Sequence, residues 1–404
     1  METANDSPKP VADAPLSPTV RALGLVSLLT DASSEMVYPV NPVFLTKVLG
    51  APPWVVGMVE GVAESTASLL KLYSGYLSDR LGQRKPLTLI GYGIATLSKP
   101  LIGLSAAWPQ VFFARFLDRT GKGLRSSPRD ALIVENSLPQ QRGRAFGLHR
   151  SMDTTGAVLG PLLGYLYLRA FPEHLRYLYF LAFLPGLLAV IVLALFVKEA
   201  RPAPGERKTP PRFTLKGLDP AYRRYLLVVF LFGMGNSSDS FLLLRAGEQG
   251  LATDHLLLLY ALFNVVEAAL GYFAGRWSDR IGRRPVIALG YAVFALVYLG
   301  FAWLPSPHLV WFLFPVYGLY YTLTQGAQKA LAADLTNPDR RGTEIGIFHL
   351  LVGITAFPAS LIAGWLYAAV SPAAPFFIGA VTALLSAGLL LTDLSARATP
   401  TDIR

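Results

Sequence analysis

The stretch GYLSDRLGQRK (residues 75–85) occurs twice in this chain. Its second copy, GRWSDRIGRRP, begins at Gly275, so that Gly, Ser, Asp, Arg, Gly and Arg recur at a spacing of 200 residues. A second pair of segments, DALIVENSLPQQRGRAFG (130–147) and KALAADLTNPDRRGTEIG (329–346), repeats at a spacing of 199 residues. Self-similarity at one fixed spacing indicates that the chain consists of two copies of one structural unit.

The composition predicts that both copies lie in a membrane. Of 404 residues, 52% are hydrophobic and 15% are charged, against about 25% charged in an average soluble domain. Apolar stretches of about 20 residues, long enough to cross a bilayer, recur along the chain, with clear examples at 86–106, 177–197, 221–244, 285–304 and 376–391. Together with weaker segments they predict an all-α membrane protein of about twelve transmembrane helices in two pseudo-symmetric six-helix bundles.

The predicted halves are residues 21–198 and 220–394, joined by a cytoplasmic linker at 199–219 that is rich in Pro and charge. Residues 1–20 are expected to form a disordered cytoplasmic tail, and residues 395–404 a second tail. Duplicated membrane halves are typical of secondary transporters, in which one half rocks against the other around a central site. A channel or a receptor is the alternative that duplication alone leaves open.

The net charge of +10 is explained by the orientation of the chain in the membrane rather than by nucleic-acid binding. Lys and Arg gather in alternate loops, including 80–85, 142–144, 276–284 and 340–341, whereas the loops between them near Ser105, Ser306 and Ser371 contain none. This bias places both termini in the cytoplasm, and we expect a bacterial inner-membrane protein. The chain has no cysteine, which excludes disulfides and thiolate metal sites.

The repeated loop resembles the cytoplasmic loop motif of the major facilitator superfamily, and two copies at half-chain spacing make the likeness specific. The resemblance covers nearly the whole chain and implies a cytoplasmic gate that opens and closes during transport. The residues implied are Gly75, Asp79, Arg80, Gly82, Arg84, Gly275, Asp279, Arg280, Gly282 and Arg284. The alternative is a solvated loop that only directs membrane insertion.

The fifth predicted span, GLHRSMDTTGAVLGPLLG (147–164), is similar to the antiporter motif of the same superfamily. The motif residues are Gly147, Gly156, Gly160, Pro161 and Gly164, and the pattern departs only at its last glycine, where this chain has Tyr165. Within the superfamily this motif implies an exporter that exchanges its substrate for protons. Physically it is a face of small residues with a proline, suited to close helix packing.

The fourth predicted span, from Trp108 to about Asn136, is unusually charged. It contains FARFLDRTGKGLRSSPRD (113–130), with seven charged residues. Each charge at mid-membrane costs about 2.5–3.5 kcal/mol on the insertion scale, and each large apolar residue returns only about 0.3–0.6 kcal/mol. This helix must therefore face the interior of the bundle, where water or opposite charges compensate it.

Carboxylates on neighbouring spans supply those opposite charges. Asp31 and Glu35 lie one turn apart on span 1, and Glu60 and Glu64 do so on span 2. They are candidate proton carriers, with Asp31 and Glu35 favoured, then Glu64. A purely structural ion-pair network is the alternative.

The fourth span also resembles the corresponding motif of proton antiporters, with Lys122 where Gln is usual. A midplane ammonium repels cationic drugs, so an anionic or zwitterionic substrate fits better. We expect the substrate cavity to be formed by Arg115, Asp118, Arg119, Lys122, Arg125, Asp153, Asn236, Asp239 and Glu267. The three residues of the second half are equally compatible with structural roles.

These observations predict a proton-coupled secondary transporter, an exporter of a small organic solute, that works by alternating access and as a monomer. A proton symporter that imports a small organic anion is the first alternative. A membrane receptor of the same fold is the second. No catalytic constellation, clustered metal ligands or phosphate-binding loop is present, which argues against an enzyme and an ATP-driven pump, and no cofactor is expected.

Overall fold

The computed structural model describes residues 15–199, 218–304, 306–336 and 341–392. Residues 1–14 of the predicted tail at 1–20, the predicted tail at 395–404 and most of the predicted linker lie outside these residues. The prediction of a disordered tail up to residue 20 was wrong at its end, because the first helix already begins at Pro18 with Ser17 as its cap. The described part is almost entirely helical and contains no strand. Its helices group into twelve passes, which we number α1 to α12.

The first half comprises α1a (Pro18–Glu35), which continues through short irregular turns at 38–48 (α1b), and five long helices. These are α2 (Pro53–Leu81), α3 (Lys85–Leu104), α4 (Trp108–Glu135), α5 (Arg142–Ala170) and α6 (Leu175–Phe196). The second half begins with α7a (Pro220–Gly235) and α7b (Ser240–Glu248). It continues with α8 (Thr253–Ile281), α9 (Arg283–Trp303), α10 (Val310–Leu335), α11 (Arg341–Ala369) and α12 (Ala374–Thr392).

Local sequence explains where several of these helices begin and end. Ser17 caps α1a by accepting a hydrogen bond from the Val20 amide, and Asp219 caps α7a through the Ala221 amide. Gly82 ends α2 with φ of 64°, a left-handed conformation that glycine adopts without strain. The predicted apolar span at 221–244 is not one straight helix, because the chain breaks at 236–239 between α7a and α7b.

Seven passes of the described chain are long and apolar enough to cross a membrane by length and composition: α3, α6, α7, α8, α9, α11 and α12. The fourth predicted span, α4, is not among them, because its charged residues make it less apolar than the other helices.

The two halves pack in the same way. In the first half α1 packs against α5 and α6, and α4 against α2 and α3; in the second half α7 packs against α11 and α12, and α10 against α8 and α9. Helices α2 with α11, and α5 with α8, form the main contacts between the halves.

The halves meet closely at the end away from the repeated loops, which we call the far end; the end with the loops is the motif end. A Cβ added at Gly57 of α2 would lie only 2.1 Å from the Ser360 carbonyl oxygen of α11, and Ser65 donates a hydrogen bond to the Gly353 carbonyl over 2.8 Å. On the other side of the bundle, the Asn264 amide of α8 donates to the Ala157 carbonyl of α5 over 3.1 Å. Glycine and serine thus let backbones from opposite halves touch.

Candidate functional site

A cavity of about 640 Å³ lies on the motif-end side of these contacts, between α5 of the first half and α8 and α10 of the second. Its polar lining includes Arg150, Glu267, Tyr321 and Gln325. If the motif end is cytoplasmic, as the loop charges predict, this is an inward-facing conformation. Of the nine predicted cavity residues, Glu267 lines this cavity.

Three other predicted cavity residues, Arg115, Asp118 and Arg119, belong instead to a packed ion-pair network. Each of them is less than 10% exposed. Arg115 binds both carboxylate oxygens of Glu60, at 2.6 and 2.9 Å, and contacts Asp118 at 3.1 Å. Arg119 pairs with Glu64 at 2.8 Å. In this conformation the arginines of α4 that face α2 are therefore paired with acids of α2. Glu60 and Glu64 each have an arginine partner.

Lys99 completes the network, and the sequence analysis did not select it. Its ammonium lies 2.6 Å from Asp118 and is itself only 3% exposed. A lone lysine in the middle of the apolar stretch 86–106 is the signal that could have found it, because an isolated charge in a membrane helix needs a partner.

The acids of α1 do not form ion pairs with the arginines of α4 in this way. Asp31 lies beside Asp153 of α5, so two carboxyl groups share one site. Glu35 is near Lys122 and Arg119, but its Oε2 atom is buried and has no hydrogen-bond partner within the described residues. Among the predicted proton carriers, Glu60 and Glu64 thus form ion pairs with arginines, whereas no such pair is seen for Asp31 and Glu35 within the described residues.

Asp153 connects this carboxyl pair to the opposite half. Ser27 donates a hydrogen bond to Asp153 over 2.7 Å, and Arg150 contacts Asp153 at 3.2 Å. Arg150 also reaches Glu267 of α8, with 2.7 Å between Nη2 and Oε1. The result is a continuous polar chain from α1 through α5 to α8, and Arg150, which the sequence analysis left outside the site, is its central member.

Small residues of the predicted antiporter motif bring α5 onto α1. A Cβ at Gly156 would lie 2.2 Å from the Leu28 carbonyl oxygen, and one at Gly160 would lie 2.5 Å from the Ala32 carbonyl oxygen. Gly164 faces Met36 and Leu257, whereas Gly147 has no atom within 4 Å of its added Cβ. Pro161 lies inside the same helix. This close packing is what allows Asp31 and Asp153 to meet.

The remaining predicted cavity residues lie in separate surroundings. Arg125 stacks over the Tyr92 ring, with its guanidinium carbon 4.2 Å from the ring centroid, and Lys122 is exposed. Asn236 donates to the Tyr320 hydroxyl over 3.3 Å. Asp239 accepts hydrogen bonds from two tyrosines of α10, Tyr317 at 2.7 Å and Tyr321 at 3.1 Å.

The repeated loops form ion pairs inside their own halves. Arg84 lies 2.5 Å from Asp79 and 3.2 Å from Glu135 of α4. In the second half Arg283 lies 2.9 Å from Asp334 of α10 and 4.0 Å from Asp279. Glu135 and Asp334 were missed as gate residues, although they are related by the same 199-residue spacing (135 and 334).

The other gate residues predicted from the repeat lie around these pairs. Arg80 and Arg280 are exposed at the ends of α2 and α8. Gly75 packs near Ser127, whereas an added Cβ at Gly275 meets no atom within 4 Å. Gly282 ends α8 with φ of 95°. Arg283, which the sequence analysis did not select, also belongs to this group through its contacts with Asp334 and Asp279.

The fold and this interior define a polytopic membrane protein of two similar six-helix halves, with a polar cavity and buried charges between them. The family model of the Major Facilitator Superfamily matches residues 23–357 and 246–403. The chain is 38% identical to an uncharacterized MFS-type transporter of Methanocaldococcus jannaschii, over 94% of this chain and 96% of that protein. This chain therefore belongs to the Major Facilitator Superfamily, and it is a transporter rather than an enzyme.

More distant relatives agree with this assignment. A multidrug resistance protein of Salmonella arizonae, MdtH, is 25% identical over 82% of each chain. The crystal structure of a D-xylose-proton symporter superimposes with a TM-score of 0.70 at 19% identity, covering 93% of this chain and 96% of that one. At 19% identity, this structural similarity shows that the two proteins share a fold and nothing further.

Proposed function

We propose that this transporter exports a small organic solute in exchange for protons, by alternating access between its two halves. The observation that carries the proposal is the contact between Asp31 and Asp153 beside Arg150. Two ionised carboxylates in contact repel each other, so a proton between them stabilises the contact. Gain and loss of that proton is the elementary step that proton coupling requires.

Arg150 offers a route from this proton to the arrangement of the halves. It is bound at once to Asp153 of its own half and Glu267 of the other. When the carboxyl pair loses its proton, its added negative charge attracts Arg150 more strongly and weakens the hold on Glu267. The charge of the pair therefore changes the strength of a bond between the halves.

We expect the pair to exchange protons through the cavity, which lies next to Asp153. Arg150, Ser151 and Thr154 line the cavity and flank Asp153 on α5. A proton acceptor next to a water-filled cavity can exchange with the solvent that the cavity opens to. Access from the other side then requires the far-end contacts, such as that between Gly57 and Ser360, to separate.

The direction of transport is supported by the antiporter-like motif of α5 and by the similarity to a multidrug resistance protein. The preference for an anionic or zwitterionic substrate rests on Lys122, whose ammonium lies near the middle of α4 and repels cationic compounds. Buried pairs account for Arg115, Arg119 and Lys99, but Lys122 remains exposed inside the bundle.

The test uses purified protein in liposomes with an internal pH dye. Anionic, zwitterionic and cationic compounds are added with and without an imposed pH gradient. A transported compound is expected to move protons in the opposite direction, and Asp31→Asn and Asp153→Asn should abolish the proton movement. Asp254→Asn, which alters a carboxylate beside His255 near the start of α8, is the matched control and should retain it.

Three outcomes would contradict the proposal in different ways. Protons that move in the same direction as the compound indicate symport. Transport that moves no protons in wild type excludes coupling altogether. Unchanged proton movement in both Asp31→Asn and Asp153→Asn excludes the carboxyl pair as the carrier.

A further inference from the structure

The cavity between α5, α8 and α10 is lined by one cationic and one anionic side chain, and the two are in contact. Arg150 comes from the first half and Glu267 from the second, with 2.7 Å between Nη2 and Oε1. Among the lining residues that the structure describes, these two are the charged ones. The charges of the lining therefore sum to zero, so that it favours neither a net anion nor a net cation.

The guanidinium of Arg150 is accessible to a ligand. Its side chain is 59% exposed although it lies between the two halves. A guanidinium has five N–H groups. Within the described residues, Nη1 of Arg150 donates to Asp153 and Nη2 donates to Glu267. The remaining N–H groups can bind a carboxylate, whose planar geometry matches the guanidinium.

The opposite side of the cavity offers hydrogen-bond acceptors. Glu267 is an acceptor by its charge. Three lining threonines donate their hydroxyl hydrogens to carbonyl groups of their own helices over 2.8–2.9 Å, so they present lone pairs to the cavity. These are Thr154, Thr155 and Thr322. A carboxylate together with such hydroxyl oxygens suits the N–H groups of a ligand ammonium.

A ligand with a single charge would leave one member of the pair uncompensated. An anion bound to Arg150 takes the arginine away from Glu267, which is only 16% exposed. A cation bound to Glu267 likewise takes the carboxylate away from Arg150. Removing one partner from a largely buried charge is costly, whereas a ligand that carries both charges gives each side chain a new partner.

We infer that this cavity binds a zwitterion of the α-amino-acid type, with its carboxylate on Arg150 and its ammonium on Glu267. The inference rests on the transport function proposed above and names its substrate class. Because the two side chains are in contact, the two ligand charges must lie close together, as they do on an α-amino acid. The bound zwitterion then replaces the direct ion pair as the link between the halves.

The rest of the cavity suits an apolar side chain on the zwitterion. Val158 and Leu159 of α5 and Leu323 of α10 belong to its lining. Its volume of about 640 Å³ lies within the usual range of small-molecule sites. An aromatic or large aliphatic amino acid therefore fits better than a small polar one.

The test measures binding to purified protein in detergent by calorimetry at neutral pH, without a pH gradient. Three probes share one aromatic ring and differ in charge. Phenylalanine is the zwitterion, 3-phenylpropionate lacks the amine, and 2-phenylethylamine lacks the carboxylate. We expect phenylalanine to bind about tenfold or more tightly than either analogue, because a charge-assisted hydrogen bond is lost with each missing group.

Variants of the pair should change the three affinities in opposite directions. Arg150→Gln and Glu267→Gln should each raise the Kd of phenylalanine about ten- to a hundredfold. Glu267→Gln should lower the Kd of 3-phenylpropionate about tenfold, because Arg150 no longer has to leave a carboxylate. Arg150→Gln should do the same for 2-phenylethylamine. General damage to the fold would weaken all three probes together.

The matched controls remove the same charges from the same helices outside the cavity. Arg169→Gln alters an exposed arginine in the last turn of α5, and Asp254→Asn alters an acid in the first turn of α8. Both should leave the Kd of phenylalanine unchanged.

The inference is overturned if phenylalanine does not bind wild type at millimolar concentration, or if it binds no better than an analogue. A preference for 3-phenylpropionate would assign the cavity to anions, and a preference for 2-phenylethylamine to cations. Failure of the Asp31→Asn experiment alone would remove proton coupling but leave these binding results standing.

Discussion

Helices α4 and α10 occupy equivalent places in the two halves, yet their inward faces differ in kind. Positions related by the 199-residue spacing are Arg115 and Phe314, Asp118 and Tyr317, and Lys122 and Tyr321. The first half thus fills its interior with ion pairs, and the second fills the equivalent space with aromatic rings. The duplication has preserved the placement of helices but not the chemistry between them.

The two interiors hold together by different forces. In the second half, ring centroids of Phe294 and Tyr298 lie 3.8 Å apart, and those of Phe232 and Tyr291 lie 4.0 Å apart. Such contacts depend on shape and tolerate the loss of one polar atom. In the first half, loss of one partner leaves a charge buried without compensation. A change of charge should therefore lower stability mainly when it is made in the first half.

The largest effect on this comparison is expected from Glu60→Leu. The change removes the bidentate partner of Arg115, which is only 5% exposed, and should cost about 3–5 kcal/mol in the free energy of unfolding. Thermal unfolding in detergent micelles measures it. Replacing Arg115 by Leu as well should recover most of the loss, whereas Asp239→Asn in the second half should cost far less. Equal losses in the two halves would contradict the comparison.

A smaller effect is expected from Gly156→Ala in the first half. The new methyl would lie 2.2 Å from the Leu28 carbonyl oxygen, so α1 and α5 must separate, at a cost of about 1–3 kcal/mol. The same unfolding measurement on Gly147→Ala provides the control, since no atom lies near that position. The equivalent residue of the second half is Thr355, and there the glycine lies on the other helix: a Cβ added at Gly233 of α7 would lie 2.5 Å from the Thr355 hydroxyl oxygen. A neutral Gly156→Ala would refute the close packing.

In the aromatic interior, Tyr317→Phe should lower stability by about 1 kcal/mol. It removes the 2.7 Å hydrogen bond to Asp239 but leaves Tyr321 in place as a donor. Tyr298→Phe is the control within the same cluster, because its hydroxyl lies beside those of Ser237, at 3.5 Å, and Tyr317 and, within the described residues, accepts or donates no bond to a carboxylate. A loss for Tyr317→Phe as large as that for Glu60→Leu would show that the second half also depends on charge.

The smallest effects are expected at the motif end, where the two halves are most alike. Glu135→Gln and Asp334→Asn each remove one acid from an arginine pair that solvent partly screens, and each should cost about 0–1 kcal/mol. Glu135 is 25% exposed and Asp334 51%, so the first should cost more. Chemical denaturation of both variants side by side tests the order, and a larger loss for Asp334→Asn would reverse it.

The sequence predicted much of this architecture because its signals are local. The fourth span was expected from Trp108 to about Asn136, and α4 extends from Trp108 to Glu135. The sequence also predicted that α4 faces the interior of the bundle, because the free energy of exposing seven charges to lipid is too unfavourable. The break at 236–239 in α7 was not predicted, since hydropathy measures how apolar a segment is and not whether it stays straight.

The pairing of charges could not be predicted to the same depth. Helical periodicity showed that Glu60 and Glu64 share a face, as do Asp31 and Glu35, but not which helix each face meets. The rotation of α1 and α2 about their axes decides that only the acids of α2 reach the arginines of α4. It likewise brings Asp31 to Asp153, although 122 residues (153 − 31) separate them in the chain.

By itself, then, the sequence determined the duplicated twelve-helix plan, the burial of the charged helix and the family, because repeats, hydropathy and charge cost are properties of single segments. Only the three-dimensional packing shows that Arg150 links the two halves, that Asp31 lies beside Asp153, and that the halves meet closely at the far end. These features arise from distances between helices, and such distances depend on how every glycine, serine and aromatic ring of both halves packs at once.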